Sequence, residues 1–311
     1  MDSAQIVIFV FTTKQIDKMG KGTHFFGQPV YGQLIKCLNK DKIVEMSRNH
    51  GGERYIKSFD GWHHLLTMLY AVILRFDSLR EIEASMLAEV RKLGHIGLKT
   101  IPRRSTLSDA NARRSEKFFE DVYRDLYDAN RETLSSDSRS NGTEEWIKRL
   151  RIIDSTTISL FSNLIFKGVG RHPKTGRKKG GIKVHTVISA NENVPCDVRF
   201  TSAARYSPHL QAQMADRVVL FKQIKQNFPL RYFYGESGNA IKIQIWVTLI
   251  ANLLMTLLQQ KLKRRWSFSG LATMVRIVLM YYINLDSFLE KPDEDMKRML
   301  AEASESPPED T

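Results

Sequence analysis

Between about Gln28 and Lys99 apolar residues recur at helical spacing, Leu65, Leu66, Leu69, Val72, Ile73 and Phe76 among them, with Gly51-Gly52 and Gly94 as separators. The spacing predicts a small helical unit. Ser105 to Leu134 continues as helix: Phe118, Phe119, Val122 and Leu126 fall on one face, and Ser105 and Ser108 are candidate caps. A polar stretch from Leu134 to Glu145, rich in Ser, Asp and Asn, then reads as a linker. Beyond it the period shortens. Trp146 to Phe161, Gly181 to Ala190 and Val194 to Ala203 are short, β-branched and bounded by turn residues, which predicts three strands. Asn191-Glu192-Asn193 is short enough for a hairpin, so the last two strands should be antiparallel. The expectation is a three-strand meander over roughly Ile147 to Ala203, with Asp154 on its central strand.

Helical spacing returns from Phe221 through Ile241 to Leu258, and again from Leu271 to Leu289. The long apolar run Ile241 to Leu258 is interrupted by Lys242, Gln244 and Asn252, which are costly at a bilayer centre. It reads as a buried core helix, with no membrane partner. The fold class expected is α+β. Residues 1–20 read as a leader outside the fold, with Met19 a candidate natural start. Residues 21–134 form a helical unit, 146–289 a mixed unit with C-terminal helices, and 290–311 a solvated acidic tail. The apolar run Ile6 to Phe11 lacks a basic segment before it and a cleavage site after it, so it does not read as a signal peptide.

Charge narrows the partners. The 311 residues hold 47 Lys and Arg against 34 Asp and Glu, a formal net charge of +13. Such an excess favours a polyanion, because each cation placed on a phosphate releases condensed counterions. The two cysteines, Cys37 and Cys196, are far apart and in no metal-binding spacing, which argues against a disulfide framework and a structural zinc and fits a reducing cytoplasm. His24 and the adjacent His63 and His64 read as core or surface histidines, since neighbours on a helix point to different faces. The Met and aromatic residues from Met274 to Phe288 read as core.

Asp154 is the first chemical candidate. It lies within Arg151-Ile-Ile-Asp-Ser-Thr-Thr-Ile-Ser-Leu160, where a buried, unpaired carboxylate costs several kcal/mol, on the order of 2–7. A hard divalent cation would take its oxygens and keep positions open for water and phosphate. Pairing with an arginine, or a place at a strand edge, is the structural alternative. Between Phe166 and Lys183 stand Lys167, Arg171, Lys174, Arg177, Lys178, Lys179 and Lys183, with five glycines, Pro173 and no acid. An open, uncompensated segment of this kind suits a phosphate backbone.

In their order these residues resemble the insertion-sequence-four-like DDE transposases, over most of Lys21 to Leu289. Ser105-Thr-Leu-Ser-Asp-Ala-Asn-Ala-Arg-Arg114 is similar to the family's approach to its catalytic domain, and Arg151-Ile-Ile-Asp154-Ser-Thr-Thr157 to its first catalytic motif. Gly180-Gly-Ile-Lys-Val-His-Thr186 matches the second strand, and Lys222 to Met255 the helical end. The resemblance implies an RNase H-like core in which two Asp and one Glu hold two divalent metals, Mg²⁺ or Mn²⁺, with Asp154 as the first Asp. It implies double-stranded DNA at element ends as partner, strand cleavage and transfer as the reaction, a homo-oligomer, and a cytoplasmic, nucleoid-associated location.

The sequence departs from the family in its third motif, where a helix spaces Tyr, two residues, Arg, three residues, Glu, six residues, Lys. Lys225 fits the last position, as a DNA-contacting lysine. Counting back, Val218 stands where Glu belongs, Met214 where Arg belongs and Gln211 where Tyr belongs. Only about twenty residues separate Ala203 from Phe221, too few for the strand that carries the second Asp. These counts imply an internal deletion and a truncated catalytic domain. Asp216, in Asp216-Arg217, is the remaining candidate for a second catalytic carboxylate, though Val218-Val219 follow where Gly and an aromatic are usual. Glu236 reads as a capping or surface residue. The expected function is DNA transposition by a chain defective in catalysis; the alternative is a non-catalytic DNA-binding remnant or regulator.

Overall fold

A computed structural model describes residues 27–135, 151–159, 181–189, 192, 194–202, 219–230, 232–294, 297 and 301. Helices α1 (Val30–Leu34), α2 (Lys40–Asn49), α3 (Gly61–Leu74), α4 (Leu79–Ala88), α5 (Val90–His95), α6 (Arg104–Arg113), α7 (Glu116–Ala129) and α8 (Arg131–Ser135) come first. Strands β1 (Arg151–Ser159), β2 (Gly181–Ser189) and β3 (Pro195–Ser202) follow, then α9 (Val219–Asn227), α10 (Gly238–Lys261), α11 (Phe268–Val278) and α12 (Leu285–Glu290). The fold is α+β.

Local chemistry sets most helix starts. Asn39, Asp60, Ser78, Ser115, Ser237, Ser267 and Asn284 each accept a backbone N–H of the first turn. Ser105 and Ser108 do not cap; they lie inside α6, whose N-cap position is Arg103. The helical span from Ser105 to Leu134 is broken at Arg114-Ser115, because the Ser115 hydroxyl accepts from the Lys117 N–H and begins a new helix there. Gly94 likewise sits within α5, and the turn comes at Gly97, whose φ of +86° suits a residue without a Cβ.

The centre is α3 and α10, apolar nearly all round and therefore enclosed on every side. Leu65, Leu66, Met68, Leu69, Tyr70, Ala71 and Val72 of α3 are fully buried, as are Ile241, Ile243, Val247, Ile250, Ala251 and Leu253 of α10. By length and composition α10 could cross a membrane, yet 89% of its apolar window is buried within the fold. Its polar residues are answered from inside. The Gln244 amide donates to the Pro229 and Tyr232 carbonyls, both at 2.8 Å, and accepts from the Tyr234 N–H at 2.9 Å. Lys242 meets Glu116 at 2.9 Å, and Asn252 accepts from Gln223 at 3.2 Å.

The two ends of the described chain meet in this core. The Val30 and Tyr31 N–H groups donate to the Tyr281 and Leu279 carbonyls at 3.0 and 2.8 Å, and Gln33 bonds both Ile283 O and Leu285 N. Helices before residue 135 thus share one apolar interior with those after residue 219. Between Met274 and Phe288, Met280 and Phe288 are buried, whereas Tyr281 is more than half exposed. Glu290, at the head of the acidic C-terminal segment, closes α12, and its carboxylate accepts the Lys263 and Arg264 N–H groups at 2.6 and 3.1 Å.

The sheet is an antiparallel meander of order β1-β2-β3, irregular at Val187/Ile188. Antiparallel pairing agrees with the period-two pattern and the short Asn191-Glu192-Asn193 link. The position of Asp154 does not. Among the described residues β1 is an edge strand and β2 is central. The cause is sequential hairpin pairing, which places the middle strand of the chain in the middle of the sheet.

Candidate functional site

Asp154 pairs in register with Thr186 of β2, and Thr156, two residues on, pairs with Val184. Thr186 and Val184 are both fully buried. One pleat period from Asp154, the Thr156 hydroxyl accepts a hydrogen bond from Lys225 Nζ at 2.8 Å. Lys225 comes from the last turn of α9 and is exposed. Behind it, Asn227 Nδ2 donates to Gln223 O at 2.8 Å and to Ser269 Oγ at 3.1 Å, and the Arg276 guanidinium donates to Asn227 O at 3.0 Å. The α9 terminus is therefore pinned to α11 while its lysine reaches the strand that carries Asp154.

The far side of the sheet is anchored by aromatic residues. Phe200 of β3 packs edge-on against Trp246 of α10 at 5.7 Å, and Lys242 Nζ lies 5.7 Å from the centre of the same Phe200 ring. The Tyr123 hydroxyl donates to Pro195 O at 2.6 Å, and the Tyr127 hydroxyl to the buried Glu192 carboxylate. Glu192 is thus engaged at the β2–β3 link. His185 bonds Thr201 at 2.8 Å, and burial first, then nearby Lys183, holds its pKa below the usual histidine range.

Of the basic cluster, Lys183 is within β2, opposite Thr157 and Thr201, instead of in the preceding loop. Its neighbours are strand formers, and the β-ladder continues through it. Lys167, Arg171, Lys174, Arg177, Lys178 and Lys179 lie outside the described residues, as do Asp216, Val218, Met214, Gln211 and His24. Glu236 is exposed and directly precedes Ser237, which caps α10.

Among the described residues no three His, Cys, Asp or Glu side chains converge on a point that could hold an ion. Where Lys225 meets β1 the described side chains are a hydroxyl and an ammonium; hard divalent cations would need carboxylate oxygens, and Asp154 is the candidate on the same strand.

Two family models match the chain. Residues 145–238, spanning β1 to the start of α10 with Asp154 and Lys225 inside, match a transposase DDE domain. The chain carries a transposase DDE domain, in a pairing of domains typical of transposases of the DDE kind. Residues 26–99 match a domain of unknown function (DUF4372), which covers α1 to α5. No curated protein and no solved structure matches it. The family is one of DNA-transposing enzymes that generally use divalent metal ions.

Sequence reasoning placed Lys225 by motif spacing but could not supply its partner, because Thr156 lies 69 residues earlier. Thr156 stands in the quoted first motif, as the second residue after Asp154.

Proposed function

We propose that this transposase binds the DNA ends of an insertion sequence and does not itself cut or join them. One observation carries the reading: Lys225 of α9 is held on Thr156, and only sixteen residues lie between the end of β3 and the start of α9. With Lys225 as the family's motif lysine, Val218 falls at the position of the metal-binding Glu. Sixteen residues are also too few for the strand and helices that bring the second Asp. A segment was therefore lost between β3 and α9.

Asp154 remains as a ligand, with Asp216 the only further carboxylate available in the short connection. A valine contributes no lone pair, so Mg²⁺ or Mn²⁺ bound here would lack the three-carboxylate clamp that steadies charge on the phosphorus. Cleavage falls by orders of magnitude without it. DNA affinity depends on cations instead, and Lys167, Arg171, Lys174, Arg177, Lys178, Lys179, Lys183 and Lys225 supply them. The chain would act on nucleoid DNA in the cytoplasm, alone, as a homo-oligomer, or mixed with an intact copy.

The test is an excision assay on a plasmid carrying the element ends, with a full-length relative as positive control and Mg²⁺ or Mn²⁺ supplied. No excision is expected, alongside a gel shift that weakens steeply between low and moderate salt and less steeply for Lys178→Gln/Lys179→Gln. Excision that disappears in Asp154→Ala would overturn the catalytic reading. Absence of any gel shift would overturn the binding reading.

A further inference from the structure

The turn after α2 meets the C-terminal half of α6 in a cleft of about 340 Å³, lined by Arg54, Tyr55, Lys57, Phe59 and Arg113 among others. It lies on the α2–α3 connection and α6, apart from the Lys225–Thr156 site on the sheet.

The charge of this cleft follows from how its acids are used. Glu53 accepts from the Ser47 hydroxyl and from the Gly61 N–H at 2.7 Å. Asp60 caps α3 through the His63 N–H at 2.8 Å and also holds the His63 ring at 2.6 Å. Both carboxylates are thus committed to the frame. Arg114, buried beneath, donates to the Gly52 and Phe59 carbonyls and lies over the Phe59 ring at 5.5 Å, which fixes the turn against α6. Arg54, Lys57 and Arg113 are left at the rim, exposed and outside every ion pair among the described residues.

Tyr55 is the second feature. It is 89% exposed and held at φ +61°, a conformation that non-glycine residues adopt rarely. The Arg54 guanidinium sits 5.1 Å from its ring centre. A strained backbone here presents to solvent an aromatic ring with the Arg54 guanidinium over one side, its hydroxyl accepting from Arg54 at 3.4 Å. Cations that track phosphates and an aromatic face that stacks on a base are the two elements of single-strand recognition. A base inside a duplex has no free face to offer and a blunt end offers only that of its last pair, so ring and cations together favour an unpaired nucleotide with its flanking phosphates.

We propose that this cleft binds unpaired nucleotides at a DNA end, with a base stacked on Tyr55 and the flanking phosphates against Arg54, Lys57 and Arg113. The proposal rests on the reading that the chain binds DNA, and it adds the form of DNA and the place.

The full chain is titrated by fluorescence anisotropy with a blunt duplex and with the same duplex carrying a short single-stranded overhang. Wild type should bind the overhang DNA more tightly. Tyr55→Ala and Tyr55→Gly should remove the preference, roughly tenfold in affinity for the overhang DNA, and leave the blunt duplex unchanged. Tyr55→Phe should keep it. Glycine relieves the positive φ, so Tyr55→Gly stays folded and its loss of preference cannot come from unfolding. Lys57→Gln with Arg113→Gln should weaken overhang binding and flatten its salt dependence. Equal binding of both DNAs by wild type, or a preference untouched by Tyr55→Ala, overturns the proposal while DNA binding stands. Binding to neither overturns DNA binding as well.

Discussion

Lys225 Nζ donates to the Thr156 hydroxyl at 2.8 Å, joining a helix and a strand that are 69 residues apart in sequence, next to the strand position of Asp154. The bond is exposed, so its share of stability is small, about 0.5 kcal/mol. A double-mutant cycle with Lys225→Met and Thr156→Val should give a coupling of that size by urea denaturation. On DNA, Lys225→Met should lower the slope of log affinity against log salt by about one, as expected for one lost phosphate contact. An unchanged slope would detach Lys225 from the DNA surface.

Asn239, in the first turn of α10, holds the α6–α7 corner together. Its amide donates to Asn111 O at 2.9 Å and Arg114 O at 2.6 Å, and its oxygen accepts from Glu116 N at 3.1 Å. Asn239→Ala strips three backbone groups of their partner and should cost about 2 kcal/mol. Chemical denaturation measures it. A cost below about 0.5 kcal/mol, the usual range for a surface substitution, would mean that water satisfies the corner equally well.

His64 should make stability fall in mild acid. It is fully buried between Phe59 and Phe119, with Asn111 Oδ1 2.8 Å from its Nε2. Burial, then the nearby Arg114 charge, pushes its pKa from 6.5 down to about 3. Because the folded value lies below the unfolded one, the unfolded chain binds the proton first. The stabilisation is full above about pH 6.5 and is lost as pH falls toward 3, by about 1.4 kcal/mol for each pH unit in that window. His185, also lowered by burial, acts in the same direction. His64→Gln should have a shallower loss between pH 6.5 and 5, measured by urea midpoints. Parallel curves for the two proteins would refute the assignment.

Periodicity carried the element types because each element here has one dominant environment. The apolar run of α10 reads as a core helix from Lys242, Gln244 and Asn252 alone, since a membrane would leave those groups without partners. The three β segments read as a meander because their links are local. What failed was also local in cause. Ser105 and Ser108 have the chemistry of caps but lie past the true start of α6, and a cap is chosen by where the chain turns. Asp154 was expected on a central strand, yet pairing order, which no residue of β1 encodes, put β1 at the edge among the described residues.

The sequence by itself determined the α+β class, the kinship through the ordered motifs and the excess of cations. Those are properties of order and spacing along one dimension. Only the tertiary structure decided that Lys225 reaches Thr156, that the first and last helices share a core through Val30–Tyr281 and Gln33–Ile283 contacts, and that Glu53 and Asp60 are spent on the frame while Arg54, Lys57 and Arg113 stand at a cleft outside the ion pairs among the described residues. Those depend on which distant residues come within hydrogen-bonding distance, and packing fixes that only when the whole apolar surface is buried at once.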